Sequence, residues 1–149
     1  MALNVAVGDM IRIHAWGTLK HNATAGTAVF KLYFNTGNPA NIGAGDVIAT
    51  TGAAGNVNIQ ANTTVCWHFL AQITITALNG GEQNGTAVVS ALFECLDPTL
   101  GGVDRSKMSG PTNFFINTTA NNYLELTALV ATGGQVEFRQ CSIEQMSSP

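Results

Sequence analysis

A chain of 149 residues is long enough to bury one hydrophobic core without disulfide staples or a structural metal, and a single domain over residues 1–149 is expected. Only 10% of the residues are charged, against roughly 25% in an ordinary globular domain, so the surface is neutral, rich in Thr, Asn and Gly, and weakly protected against association. Six Lys and Arg against nine Asp and Glu, a net charge of -3, leave no basic patch for nucleic-acid phosphates. No apolar run is long enough to span a bilayer, and the amino terminus lacks a signal-peptide pattern, so a soluble protein made in the cytoplasm is expected.

Residues 1–7 (MALNVAV) precede the first strand and are expected to form an extended arm. Residues 10–16 alternate, with Ile11, Ile13 and Ala15 on one face and Arg12 and His14 on the other, between Gly8 and Gly17. Residues 28–34 follow, with Ala28, Phe30, Leu32 and Phe34 inward and Val29, Lys31 and Tyr33 outward, ending at the turn-rich NTGNPANIGAG. Short strands are expected at 47–50 and 57–60. The longest runs over 63–78, with Val65, Trp67, Phe69, Ala71, Ile73, Ile75 and Ala77 on one face.

NGGEQNG then turns into residues 86–96, apolar on both faces and therefore expected to be covered on both sides. Residues 97–111 (DPTLGGVDRSKMSGP) form the longest irregular stretch, of the kind that is often functional. Strands follow at 113–117, 123–130 and 135–144. In the last, Val136 and Phe138 differ in parity from Cys141 and Ile143, so a bulge near Arg139 or Gln140 is needed to keep one inward face. Such a set of short strands without a helical period predicts an all-β, antiparallel two-sheet β-sandwich, jelly-roll-like or immunoglobulin-like. The long central strand and a final hairpin favour the jelly roll.

Catalytic chemistry finds no foothold. There is no GxSxG, HExxH, P-loop or GxGxxG, and the acids are scattered, so no enzyme, no cofactor and no metal site are expected. His14 and His68 fall outward and His21 in the turn LKHNATAG, as ordinary surface histidines. Cys66, Cys95 and Cys141 have no CxxC spacing and lie in apolar runs, as buried thiols.

Outward parity instead collects apolar residues: Met10, Trp16, Val29, Tyr33, Leu70, Val88, Leu92 and Leu129. Recurring on several strands beside Thr, they are expected to form an oligomer interface on the outer face of one sheet, or to be covered by a loop or terminus of the same chain. Outward Trp16, Tyr33 and Tyr123 are the candidates for stacking a sugar.

Three passages carry a family resemblance: GDMIRIHAWGTL at 8–19, VCWHFLAQITITALNGGEQNGTAVVSALFE at 65–94 and INTTANNYLELTALVATGGQVEFRQCSIE at 116–144. Together they resemble the β-sandwich (jelly-roll) knob of tailed-bacteriophage virion proteins, found on capsid decoration or cement proteins and at fibre tips. The resemblance implies a trimeric structural protein on the virion exterior with no catalytic residues. The short lead segment favours a cement protein over a fibre knob. Partners would be further copies of the chain and the major capsid protein, without nucleic acid or membrane. Residues gripping the capsid would come from the arm, Leu3, Val5 and Val7, and from the long loop, Leu100, Val103, Arg105, Lys107 and Met108. A receptor- or glycan-binding knob is the alternative.

Overall fold

In the computed structural model, which describes residues 5–36, 46–52, 57–78, 85–97, 102–107, 112–116 and 122–147, apolar alternation becomes strand after strand. β1 (Met10–His21) buries every second side chain along its whole length, from Ile11 to His21. The same period organises β2 (Gly26–Thr36), β4 (Val57–Ile59), β5 (Thr64–Ala77) and β6 (Gly85–Asp97), whereas β3 (Asp46–Thr50) buries two adjacent residues, Ile48 and Ala49, beside an irregularity in its pairing with β2. β7 (Gly102–Lys107), β8 (Thr112–Ile116), β9 (Asn122–Val130) and β10 (Gly134–Met146) complete the chain.

The strands form two antiparallel sheets, as expected of a β-sandwich. Sheet A is six-stranded, ordered β10-β1-β5-β6-β7, with β8 also paired to β6. β7 pairs with Leu92–Asp97 and β8 with Gly85–Val89, so the two lie end to end along one side of β6. Sheet B is four-stranded: β3 and β4 line one side of β2 and β9 the other.

Their facing sides share one core. Phe30 of sheet B meets Trp67 and Phe93 of sheet A at ring-centroid distances of 5.1 and 4.3 Å, and Phe34 meets Phe114 at 4.8 Å. Burying each such ring stabilises the fold by about 1.5–3 kcal/mol, and tilted ring pairs add to that. Thr51, fully buried, accepts a hydrogen bond from the Phe30 N–H at its Oγ1 (2.9 Å) and donates its own N–H to the Phe30 carbonyl (3.0 Å), which ties the end of β3 to β2.

Several expectations are corrected. Gly17 does not end the first strand but lies inside β1, because its missing side chain makes room for the Trp67 indole. Within the stretch expected to be irregular, Gly102–Lys107 is β7, drawn into a ladder by the free side of β6. The final two strands do not form a hairpin: β9 pairs with β2 and β10 with β1, so the turn at Ala131–Gly133 carries the chain from one sheet to the other. Gly133 makes that turn at φ +88°, a conformation costly for residues with a Cβ.

β1 and β2 also lie in different sheets, and the two crossings stack: the Asn22 N–H donates to the Gly133 carbonyl at 3.2 Å and the Ala131 N–H to the Thr27 carbonyl at 2.9 Å. His21 fills the space between them, which overturns its reading as a turn residue on the surface. It is the last residue of β1, 1% exposed, and packed where side chains at Gly26, Gly133 and Gly134 would otherwise reach. Of the cysteines only Cys95 is buried. Cys66 faces outward from β5 and Cys141 lies on the edge strand β10, both exposed.

The expected bulge is present: Trp16 pairs with Gln140 and Gly17 with Phe138, leaving Arg139 as the extra residue. It keeps Val136, Phe138, Cys141 and Ile143 on the inner side of sheet A, each paired with an inward residue of β1. Both faces of β6 are shielded to different degrees. Val89 and Phe93 are buried, whereas Val88 and Leu92 are half-buried and Ser90 is exposed, and among the described residues no second layer covers the outer side.

Candidate functional site

Two surfaces combine several elements. The first is the open side of the sandwich. β10 and β9 are edge strands of their sheets, and sheet B is narrower than sheet A. Close to the sheet-crossing turn Val136 is half-buried, but further along β10 Phe138 is 46% and Ile143 60% exposed. Phe138 still leans edge-on against Trp67, with centroids 4.9 Å apart. Opposite, the inward residues of β9, Leu124, Leu126 and Ala128, are only partly buried. Core-type side chains are thus left in water beside two edge strands, β9 and β10, each with one strand neighbour among the described residues, a combination that favours addition of another chain.

The second surface is the outer face of sheet A. An open trough of about 740 Å³ crosses β10, β1, β5 and β6, with Arg12, His14, Gln72, Ser90, Ser142 and Glu144 among its lining. Register places these side chains in rows: Glu144, Arg12, Gln72 and Ser90 in one, Ser142, His14, Leu70 and Leu92 in the next, and Gln140, Trp16, His68 and Glu94 in the third. Donors and acceptors therefore stand side by side over a shallow apolar floor, an arrangement suited to hydrogen-bonding a polar ligand. In the third row the His68 Nδ1 lies 3.8 Å from the Glu94 carboxylate. His14 is edge-on to Trp16 with centroids 5.9 Å apart, and its Nε2 touches the Nε2 of His68.

The expected interface residues divide between opposite faces. Met10, Trp16, Leu70, Val88 and Leu92 lie on the outer side of sheet A, and Val29, Tyr33 and Leu129 on the outer side of sheet B. Leu129 (71%), Trp16 (45%) and Leu70 (38%) are exposed and the others half-buried. No one face holds the whole set. Tyr123, on β9, is half-buried.

Of the expected capsid contacts, Val7 is exposed and Val5 packs partly buried against the core. Residues 5–9 turn onto the sandwich: the Ala6 N–H donates to Asp9 Oδ2 (2.7 Å), and Gly8 and Asp9 exchange hydrogen bonds with Ile75 (2.9 Å each). Val103, Arg105 and Lys107 belong to β7, with side chains outside what is described, and Leu3, Leu100 and Met108 lie outside the described residues.

Sequence reasoning missed Phe115, 72% exposed on the outer side of sheet A, as well as Phe138 and Ile143. Parity marked Phe115 once Phe114 faced inward. For Phe138 and Ile143 parity gave the correct side, but that side is uncovered. Among the described residues no group of three or more His, Cys, Asp and Glu side chains is placed to hold a metal ion, and no helix is long and apolar enough to cross a membrane. Comparison of the chain with protein families, with curated proteins and with solved structures finds no match.

Proposed function

We propose that the chain is a structural protein of a phage virion, a decoration or cement protein that trimerises, binds the outer capsid surface through the major capsid protein and stabilises the shell. The family-like passages at 8–19, 65–94 and 116–144 motivate the virion assignment. The observation that carries the assembly role is the open side of the sandwich, where Phe138 and Ile143 stand 46% and 60% exposed beside the edges of β9 and β10. Covering such apolar surface is worth about 25 cal/mol per Å², and a trimer engaging several capsid subunits gains avidity without new kinds of contact.

Light scattering on the purified chain, alone and mixed with capsids lacking it, tests this reading. A stable trimer that adds to the capsids and raises their resistance to heat is the expected result. A monomer that ignores capsids overturns it.

A glycan- or receptor-binding knob is the second reading, favoured by the polar trough on sheet A and by Trp16 beside it. Binding on a glycan array that is lost with Arg12→Ala or Trp16→Ala, the mass in solution unchanged, would select it.

A further inference from the structure

The few cations of this chain are gathered on one side. Of its six Lys and Arg, all but Lys31 belong to strands of sheet A. Arg12 and Lys20 stand exposed on the outer face of β1, and Arg139, the extra residue of the bulge, is exposed with its Nη2 3.0 Å from the carboxylate of Glu137. Register sets Arg105 opposite Glu94 and Lys107 opposite Leu92, two outward residues of β6. The acids are placed differently. Glu94, Glu137 and Glu144 share this face, whereas Asp9 is buried, Asp46 and Glu125 belong to sheet B, and Asp104 is opposite the inward Cys95. Among the described residues, a chain of net charge -3 thus presents one face that is positive on balance, which draws anionic partners.

The shape of the face narrows the class of partner. Beside the trough that holds Arg12, a second open trough of about 570 Å³ holds Lys20 and Arg139 together with Thr18, Thr64 and Gln135. The two lie toward opposite ends of β1, and the row between them carries Trp16, 45% exposed. Arg12, Trp16 and Lys20 share one parity of β1 at intervals of four residues, so each cation stands roughly 13 Å from Trp16 along the strand. An exposed indole edged by hydroxyl, amide and imidazole groups suits a sugar ring, which stacks through its apolar face and hydrogen-bonds through its rim. His14, edge-on to Trp16, limits how far the indole can swing. Cations so far apart, with Glu144 opposite Arg12 and Glu137 paired with Arg139, match a sparsely charged ligand. They do not match duplex nucleic acid, which carries a charge about every 1.7 Å along its axis. Two troughs in line along one strand fit an extended chain.

We infer that the outer face of sheet A binds a linear acidic glycan, laid along β1 with one sugar ring on Trp16 and the carboxylates of flanking sugars at Arg12 and Lys20. The inference rests on the second reading above, glycan binding by this face, and names its ligand class; it does not rest on the virion reading.

The test is calorimetric titration of the full chain with oligosaccharides of hyaluronan, alginate and polygalacturonate, whose charges are uronic-acid carboxylates, and with neutral dextran oligomers. Uptake of at least one uronic-acid oligomer is expected, falling as NaCl is raised, with no uptake of dextran. Arg12→Gln and Lys20→Gln should each weaken binding about two- to fivefold and Trp16→Ala about tenfold, whereas Lys31→Gln, on sheet B, should leave it unchanged. Arg12, Trp16 and Lys20 are exposed, so these variants should keep the parent circular dichroism and Tm. Uptake of dextran alone would overturn the acidic class and leave the glycan reading standing, and uptake of none of the oligomers would overturn both. Uronic-acid binding that survives Arg12→Gln, Lys20→Gln and Trp16→Ala together would overturn the site. Duplex DNA bound as tightly as the uronic-acid oligomers would replace it with a general polyanion surface.

Discussion

Replacing Gly17 by Ala should destabilise the protein, against the ordinary gain of about 0.5–1 kcal/mol when a strand glycine acquires a Cβ. A Cβ built on Gly17 would lie 1.8 Å from the Glu137 carbonyl oxygen and 2.7 and 2.8 Å from Cζ2 and Cε2 of Trp67. Neither neighbour can easily give. Glu137 belongs to the β10 ladder, pinned through Thr18↔Glu137 on one side of the bulge and Trp16↔Gln140 on the other. Trp67 is 1% exposed and stacked over Phe93 at 6.2 Å. Relief therefore requires β10 to move out by an ångström or more, at an overpacking cost of about 1–3 kcal/mol plus roughly 1 kcal/mol for each ladder hydrogen bond lost. A net loss of about 3 kcal/mol lowers Tm by roughly 6–12 °C in a chain of this size. Urea denaturation followed by tryptophan fluorescence measures it. Adding Trp67→Phe should restore only part of the loss, since the clash with the backbone oxygen remains. A Gly17→Ala protein within about 0.5 kcal/mol of the parent would refute the packing argument.

The sheet-crossing corner gives a second test. A Cβ at Gly26 would lie 1.8 Å from His21 Nε2, so Gly26→Ala should cost about 1–3 kcal/mol alone and clearly less in a His21→Ala background, as read by a double-mutant cycle. Phe30→Ala, which opens the cluster shared with Trp67 and Phe93, should cost about 3–5 kcal/mol in chemical denaturation. Thr51→Val keeps the shape but leaves the buried Phe30 N–H without its Oγ1 acceptor and should cost about 1–3 kcal/mol; an unchanged denaturation midpoint would show that the bond contributes nothing. Ile143→Lys, at a residue 60% exposed, should leave monomer stability within about 0.5 kcal/mol while lowering the mass seen by light scattering. An unaltered oligomer would place the contact elsewhere.

Much of this architecture was legible because a strand writes its two faces into the sequence at period two. The inward residues of β1, β2 and β5 follow directly, and the parity break between Phe138 and Cys141 located the bulge that leaves Arg139 unpaired. Alternation reports which side of its own strand a residue occupies, and nothing about what lies beyond that side. Which strands pair was settled by tertiary structure alone: β9 and β10 look like a hairpin but join different sheets. The free side of β6 likewise made a strand of Gly102–Lys107 from a segment with no apolar pattern of its own. His21 reads as a turn residue and is buried because two crossings stack over it, with glycines at 26, 133 and 134 leaving the space. Phe138 and Ile143 have inward parity yet meet water because sheet B is too narrow to cover them. The contact between His14 and His68 depends on a register between strands with three strands of the other sheet, β2 to β4, inserted between them in sequence. Local alternation set most of the strands and their inward faces, since these depend on neighbours within a few residues; β7, the pairing, the width of the covering layer and the meeting of distant side chains depend on the whole chain and were decided only when the sheets closed on each other.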